Sequence, residues 1–183
     1  LERVDPGSDG VNLQDDISEG YVGAVKAAGG SSGEYNYFAG RYFVEFDSTI
    51  LDRAPASATI SFFGTNATYS NANMICLKTD WGDDSLAVGD WDAHHSSETN
   101  GIPYTELLQG TDFQYNGWSS VSLTPAALSA IGAYDKIQMV CVENEYDYGQ
   151  TEPDVGTTRR NNFFQTAAGT SAYNPVISYT MGS

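Results

Sequence analysis

Five aspartates lie close together in the middle of this sequence and could bind a metal ion. Asp80, Asp83 and Asp84 lie in one short loop, and Asp90 and Asp92 follow a few residues later. Ca²⁺ takes about six to eight oxygen ligands, which clustered carboxylates and loop carbonyls can supply. An alternating D-x-D-x-D-G spacing, which would define such a loop, is absent. The segment therefore predicts at most a structural Ca²⁺ site, and a solvated acidic surface is the alternative.

A second group of carboxylates follows near residue 145. Glu143, Glu145, Asp147, Glu152 and Asp154 could supply the two acids of a glycoside hydrolase, which stand about 5 Å or about 6.5–9.5 Å apart. If a strand continued through this segment, Glu143 and Glu145 would share one face of it. An acidic chain offers many such pairs by chance, so we assign no catalytic residue here.

The only two histidines are adjacent, His94 and His95. Any Ser-His-Asp triad would have to use one of them. The one Gly-x-Ser-x-Gly spacing, at residues 29–33, lies in a run of small residues typical of a flexible loop, not in a turn that would present a nucleophilic serine. An adjacent pair in a polar loop is typical of a surface, and metal capture with Asp90 or Asp92 is the alternative. The sequence predicts a protein that is not an enzyme.

Aromatic residues in polar loops offer a third kind of chemistry, because exposed flat rings bind sugars. Trp81, Trp91 and Tyr104 are the rings that we expect to be exposed. Trp118 and Tyr42 are expected to be core or rim residues of the sandwich instead. The loops therefore favour carbohydrate binding over catalysis.

The two cysteines, Cys76 and Cys141, each lie inside an apolar segment. They could be separate buried thiols, since free Cys packs as a small hydrophobic residue. They could equally form one disulfide between neighbouring strands in an oxidising compartment. The spacing leaves both alternatives open.

Composition restricts the partners. With 24 Asp and Glu against 8 Lys and Arg, the formal net charge is −16, which repels nucleic-acid phosphates. No apolar run approaches the roughly 20 residues that a membrane-spanning helix needs. Only 17 % of residues are charged, and Gly, Ser, Thr, Asn and Tyr are abundant. This composition is typical of an extracellular all-β protein.

The strands that position these side chains are organised around residues 41–64. Apolar and polar residues alternate over 42–47 and again over 58–63, with Pro55 interrupting the pattern between them. We expect these two strands to form one antiparallel sheet with a single core face. Further strands are predicted at 21–25, 73–79, 118–123, 136–142, 162–166 and 175–180, with 136–142 central. A short strand around 11–13 is the alternative to an arm or linker in the first 20 residues.

One short helix is predicted near 125–131, because Thr124 can cap it, Pro125 suits its first position and Gly132 ends it. Residues 96–112 are expected to be irregular, since Pro103 excludes a central strand. Residues 1–20 are predicted to be an N-terminal arm or linker, and 21–183 one domain. With no βαβ alternation, the fold class is an all-β antiparallel sandwich with jelly-roll topology.

The order of these elements resembles that of DNRLRE-type jelly-roll domains. The similarity lies in Tyr42–Asp47, Ala54-Pro55 and the strand 58–63, in the strand and helix of 118–131, and in the closing segment 171–180. Such domains are similar to carbohydrate-binding modules. They occur in secreted and cell-surface proteins and in phage or virus appendages. The resemblance implies a binding or structural role outside the cell.

These observations predict a non-enzymatic extracellular structural or adhesion protein that decorates a virion, tail fibre or cell-surface filament. Its partners would be other copies of itself, other subunits of that assembly, or glycans. The alternative function is a carbohydrate-binding module, freestanding or appended to a secreted glycoside-active enzyme. Residues 1–20 could dock on a sheet edge of another subunit.

Overall fold

Alternating apolar and polar residues give this chain its strands. A computed structural model describes residues 2–5, 8–10, 19–28, 35–49, 51–65, 71–82, 101–164 and 171–182. Within these ranges the chain forms three antiparallel sheets and one short α-helix. The predicted all-β class is confirmed.

The strands are β1 Glu2–Asp5, β2 Ser8–Gly10, β3 Glu19–Ala28, β4 Tyr35–Gly40, β5 Tyr42–Asp47, β6 Ser57–Phe63, β7 Met74–Lys78, β8 Trp118–Ser122, β9 Lys136–Glu143, β10 Thr158–Phe164 and β11 Val176–Thr180. The α-helix, α1, is Pro125–Ile131. Short 3-10 helices are Gly110–Asp112 and Ser171–Tyr173, and a π-helix is Asn144–Tyr148.

The strands pair in three sheets. The first has the order β10-β3-β4-β1-β2, the second β11-β6-β8 and the third β5-β9-β7. The second and third sheets contribute to the same core cluster, as the two layers of a sandwich do. Jelly-roll connectivity stays a prediction.

The two strands at the centre of the sequence analysis do not pair with each other. β5 pairs with β9, whereas β6 lies between β11 and β8. The prediction that they form one sheet is wrong. Their apolar faces instead meet in the core, where Tyr42 and Ile60 belong to the same buried cluster. An alternating pattern specifies which face of a strand is buried but not which strand it pairs with.

Strand β9 is central in the third sheet, as predicted, and both of its faces are buried. Met139 and Cys141 point into the main core. Val140 and Val142 belong to a second apolar cluster on the opposite face. A strand buried on both faces reads as a continuous apolar run, which is the pattern seen here.

A disulfide joins Cys76 in β7 to Cys141 in β9. The two residues are directly opposite in the antiparallel register, with their Cα atoms 4.0 Å apart. Both are fully buried. Of the two alternatives that the sequence left open, the structure therefore contains the paired one.

The helix follows its sequence signals. The Thr124 hydroxyl accepts a hydrogen bond from the Ala127 amide and donates one to the Pro103 carbonyl. Pro125 begins the helix and Gly132 follows its last residue. A side chain at Gly132 would collide with the backbone of Ala54, so glycine is required there. The predicted helix is confirmed.

Residues of the predicted N-terminal arm contribute β1 and β2 to the first sheet, where β1 pairs with β4 of the same chain. The strand predicted around 11–13 lies outside the described residues. Residues 101–112 form isolated bridges and one 3-10 turn, as expected for this irregular segment. None of the helices that the structure describes has the length and apolar character needed to cross a membrane.

Candidate functional site

The predicted metal site can be examined at one residue only. Asp80 is exposed, and its Oδ1 accepts a hydrogen bond from the Gly82 amide at 2.9 Å. Asp83, Asp84, Asp90 and Asp92 lie outside the described residues, as do His94 and His95. Among the residues that are described, no group of three or more His, Cys, Asp or Glu side chains could hold a metal ion. The structural Ca²⁺ site stays a prediction.

The described start of this loop is held against β9. The Gln138 side chain accepts a hydrogen bond from the Trp81 amide and donates one to the Gly82 carbonyl, at 3.0 and 2.9 Å. The Lys136 ammonium donates to the same carbonyl at 2.6 Å. These bonds fix where residues 80–82 leave the sheet.

The rings predicted to be exposed and to bind a ligand differ in their burial. Trp81 is half-buried and packs edge-on against Phe43, with ring centroids 5.8 Å apart. Tyr104 is only 4 % exposed and lies in the main core, where burial raises its pKa to about 12. The prediction that Tyr104 is exposed is wrong, because the segment around it bridges β7 to β8 and turns the ring inward. Trp91 lies outside the described residues.

Among the carboxylates near residue 145, Glu143 has a structural role. Strand β9 ends at Glu143, so Glu143 and Glu145 do not share a strand face as predicted. Glu143 is 1 % exposed, and its Oε2 accepts hydrogen bonds from the amides of Glu145 and Tyr146 at 2.9 and 2.6 Å. These bonds cap the π-helix. Glu145 is exposed to solvent.

Desolvation by burial raises the pKa of Glu143, and the charges of Glu145 and Asp147 act in the same direction. The two amide hydrogen bonds oppose this rise, because they stabilise the charged carboxylate. A raised carboxyl pKa is common in catalytic acids. Here the side chain faces its own backbone, so the raised pKa follows from the burial of a capping residue and does not indicate a catalytic acid.

Asp147 is held by Arg41. The Arg41 Nε donates to Asp147 Oδ2 at 2.8 Å, and a guanidinium amine donates to Oδ1 at 2.6 Å. Both side chains are almost fully buried, at 7 % and 5 % exposure. Arg41 is the single residue between β4 and β5, where the chain passes from the first sheet to the third. The ion pair therefore ties the π-helix to this crossing point.

A different group of rings is exposed on the outer face of the second sheet. In β6, Ala58, Ile60 and Phe62 are buried, so Phe63 belongs to the opposite, outward face. Trp118 in β8 is directly opposite Phe63 in the register. It meets the Phe63 ring edge-on, with centroids 5.4 Å apart and planes at 82°.

Tyr173 completes this group from the 3-10 helix before β11. Its ring centroid is 4.4 Å from that of Phe63, with the planes tilted by 42°. Trp118 and Tyr173 are 39 % and 38 % exposed, and Phe63 is half-buried against both. We call Phe63, Trp118 and Tyr173 the ring patch.

The turn before β8 places Trp118 in the patch. The Asn116 amide donates to the Gly64 carbonyl at 2.9 Å, and the Gly64 amide donates to the Gly117 carbonyl at 3.0 Å. A side chain at Gly64 would collide with the carbonyl of Gln114, so only glycine allows this close approach. The turn is thereby fixed beside the end of β6.

Hydroxyl groups cover the rest of this outer face. The register aligns Val176 with Ser61 and Ser120, and Ser178 with Thr59 and Ser122. We call the outward side of this sheet the hydroxyl face. Its hydroxyl residues are Ser57, Thr59, Ser61, Ser120, Ser122, Ser178 and Thr180. Together with Phe63, Trp118 and Val176 they leave no ionisable side chain at the outward positions of the three strands.

The sequence analysis expected Trp118 to be a core or rim residue, whereas the structure places its ring on the outward face, 39 % exposed. The outward position of Trp118 could have been predicted from strand parity, the alternation of inward and outward residues along a strand. Val121 and Leu123 are buried, so Trp118 shares a face with Ser120 and Ser122 rather than with them. Its place in the alternation determines where the ring lies.

Comparison with known proteins adds no assignment to this geometry. No protein-family model matches the sequence. No curated protein matches it either. The resemblance to DNRLRE-type domains therefore stays a prediction.

Proposed function

We propose that this chain is a non-enzymatic, extracellular adhesion module that binds glycans through the ring patch. The observation that carries the proposal is the position of Trp118 and Tyr173 on an outward sheet face, in contact with Phe63 and beside a row of hydroxyls. Aromatic rings pack against the apolar faces of sugars, and neighbouring polar groups orient the sugar hydroxyls. Two exposed rings that both pack against a third ring are the expected platform for such a ligand.

The other candidate chemistries have less support. The buried carboxylates Glu143 and Asp147 are bonded to the backbone and to Arg41, which leaves neither positioned toward a substrate. A buried disulfide favours an oxidising compartment, as expected outside the cell. Binding rather than turnover is therefore the proposed activity.

Binding of the intact chain to a printed array of neutral and acidic glycans tests this function. Trp118→Ala and Tyr173→Ala should each weaken binding roughly tenfold or more, because they remove exposed rings at the centre of the contact. Tyr134→Ala is the matched control, since Tyr134 is exposed but lies outside the hydroxyl face. Absence of any glycan ligand, or equal losses in all three variants, would contradict the proposal.

A second candidate function is assembly of several copies into a surface structure. Strand β11 is the first strand of its sheet, so one of its edges has no neighbour among the described sheets. Edge strands usually carry charges or proline that prevent pairing with another chain. Residues 176–180 carry neither, although the chain as a whole has a net charge of −16. This uncharged edge favours pairing with a second copy.

A further inference from the structure

Resting on the proposed function, we infer that the ring patch binds a neutral glycan segment of one or two sugar rings. Charge is the first argument. Recognition of sulfate or carboxylate groups on a glycan relies on Arg or Lys, and the outward positions of β6, β8 and β11 contain neither. The net charge of −16 adds long-range repulsion against any anionic ligand. The face is therefore suited to an uncharged ligand.

The orientation of the rings limits the size of the ligand. Trp118 stands at 82° to Phe63, and Tyr173 is tilted at 42° to the same ring. Rings in such different planes cannot lie together on the flat surface of a crystalline polysaccharide. Because both exposed rings contact Phe63, the patch is also no longer than one or two sugar rings. A short segment of a single chain fits this arrangement.

The polar groups beside the patch are those that sugar hydroxyls require. Ser61 and Ser120 form the next outward pair of the register after Phe63 and Trp118, and their hydroxyl oxygens are 2.7 Å apart in a shared hydrogen bond. Ser61 is buried, so the exposed Ser120 hydroxyl, a group that can both donate and accept, is the polar contact that this pair presents to a ligand. Neutral donors and acceptors thus lie next to the rings.

An array of matched oligosaccharides tests this inference. It would present gluco-, galacto-, manno-, xylo- and chito-oligosaccharides from one to six sugars long, each beside a uronate or sulfated counterpart. We expect a neutral oligosaccharide to bind at least tenfold more tightly than its anionic counterpart. Affinity should stop rising at two or three sugars. Ser120→Ala should weaken binding several-fold, whereas Ser122→Ala, at the next outward position on β8, should not.

The outcomes separate this inference from the proposed function. Preference for the anionic forms, or affinity that rises steadily to six sugars, would overturn the inference if Trp118→Ala still abolished binding. The proposed function would then stand. Absence of binding to every oligosaccharide, or binding unchanged in Trp118→Ala, would overturn both.

Discussion

Arg41 and Asp147 form a bidentate ion pair. Arg41 is the residue at which the chain passes from β4 in the first sheet to β5 in the third. The two residues are far apart in sequence, and both side chains are almost fully buried. Two charges taken out of water need good mutual geometry to offset their lost hydration. The fork of the guanidinium supplies it, because it donates to both carboxylate oxygens in parallel.

The first prediction concerns this pair. Asp147→Ala should lower the free energy of unfolding by about 3–5 kcal/mol, because it leaves the buried Arg41 charge without its counter-ion. Arg41→Lys should also destabilise, since an ammonium cannot form the parallel bonds. Urea unfolding followed by circular dichroism measures both. Glu152→Ala, which breaks the exposed Lys26–Glu152 pair, is the control and should cost much less. Equal losses at Asp147 and Glu152 would contradict the prediction.

The second prediction is a dependence of stability on pH that arises from Glu143. Burial raises the pKa of Glu143 above its ordinary value of 4.5, so the folded chain holds this proton to a higher pH than the unfolded chain. The contribution of Glu143 to stability is therefore largest below pH 4.5 and falls as the pH rises through the raised pKa. Above that pKa it is constant.

Comparison with Glu143→Gln isolates this effect, because the variant retains all other acidic groups. As the pH rises from about 4 to about 8, the stability of the native chain should decrease relative to the variant and then level off. Urea unfolding of both proteins at each pH provides the measurement. A difference that does not depend on pH, or that changes in the opposite direction, would refute the prediction.

The third prediction concerns the disulfide. Cys76 and Cys141 are 65 residues apart in sequence, so their bond restricts the unfolded chain substantially. The double variant Cys76→Ala/Cys141→Ala should lose about 4 kcal/mol of unfolding free energy. Because the bond is fully buried, dithiothreitol should reduce it quickly only under unfolding conditions. Rapid reduction of the native protein, or a double variant of unchanged stability, would contradict this.

Strand parity predicted much of the fold, and the sequence could not supply the rest. The alternation at 58–63 and 118–123 identified strands and their buried positions, and Thr124 and Gly132 identified the helix ends. The partner of each strand depends on contacts between distant residues. Hence the separation of β5 and β6 into different sheets was not predicted. Parity could have placed Trp118 on the outward face, but the contact of Tyr173 with Phe63 joins distant parts of the chain and was not predictable.

The fourth prediction tests this parity argument through stability. Trp118→Ala should lower the free energy of unfolding by about 1 kcal/mol or less, because the ring lies on the outward face. Phe62→Ala, one position before Phe63 in β6 and fully buried, should cost about 3–5 kcal/mol. Thermal or urea unfolding distinguishes the two. A loss at Trp118 as large as that at Phe62 would place the ring in the core after all. A small loss would also show that Trp118→Ala reports on binding in a folded protein.

The fifth prediction concerns assembly through the β11 edge. If two copies pair antiparallel about Ser178, this residue faces the partner's Ser178, and Ser178→Asp would place like charges directly opposite each other. Ser122→Asp is the matched control, because Ser122 lies in the same register row on the same face but in β8. Removing residues 1–20 would be a less specific test, since it also exposes the edge of β4.

Sedimentation equilibrium over a range of concentrations measures the outcome. The native chain should be heavier than its 19.7 kDa monomer, Ser178→Asp should be monomeric, and Ser122→Asp should match the native chain. Dissociation by Ser122→Asp alone would move the interface to the β8 edge. A native chain that is monomeric at every concentration would exclude assembly by itself. Because both substitutions place the same charge on the hydroxyl face, only the edge on which that charge lies can account for a difference between them.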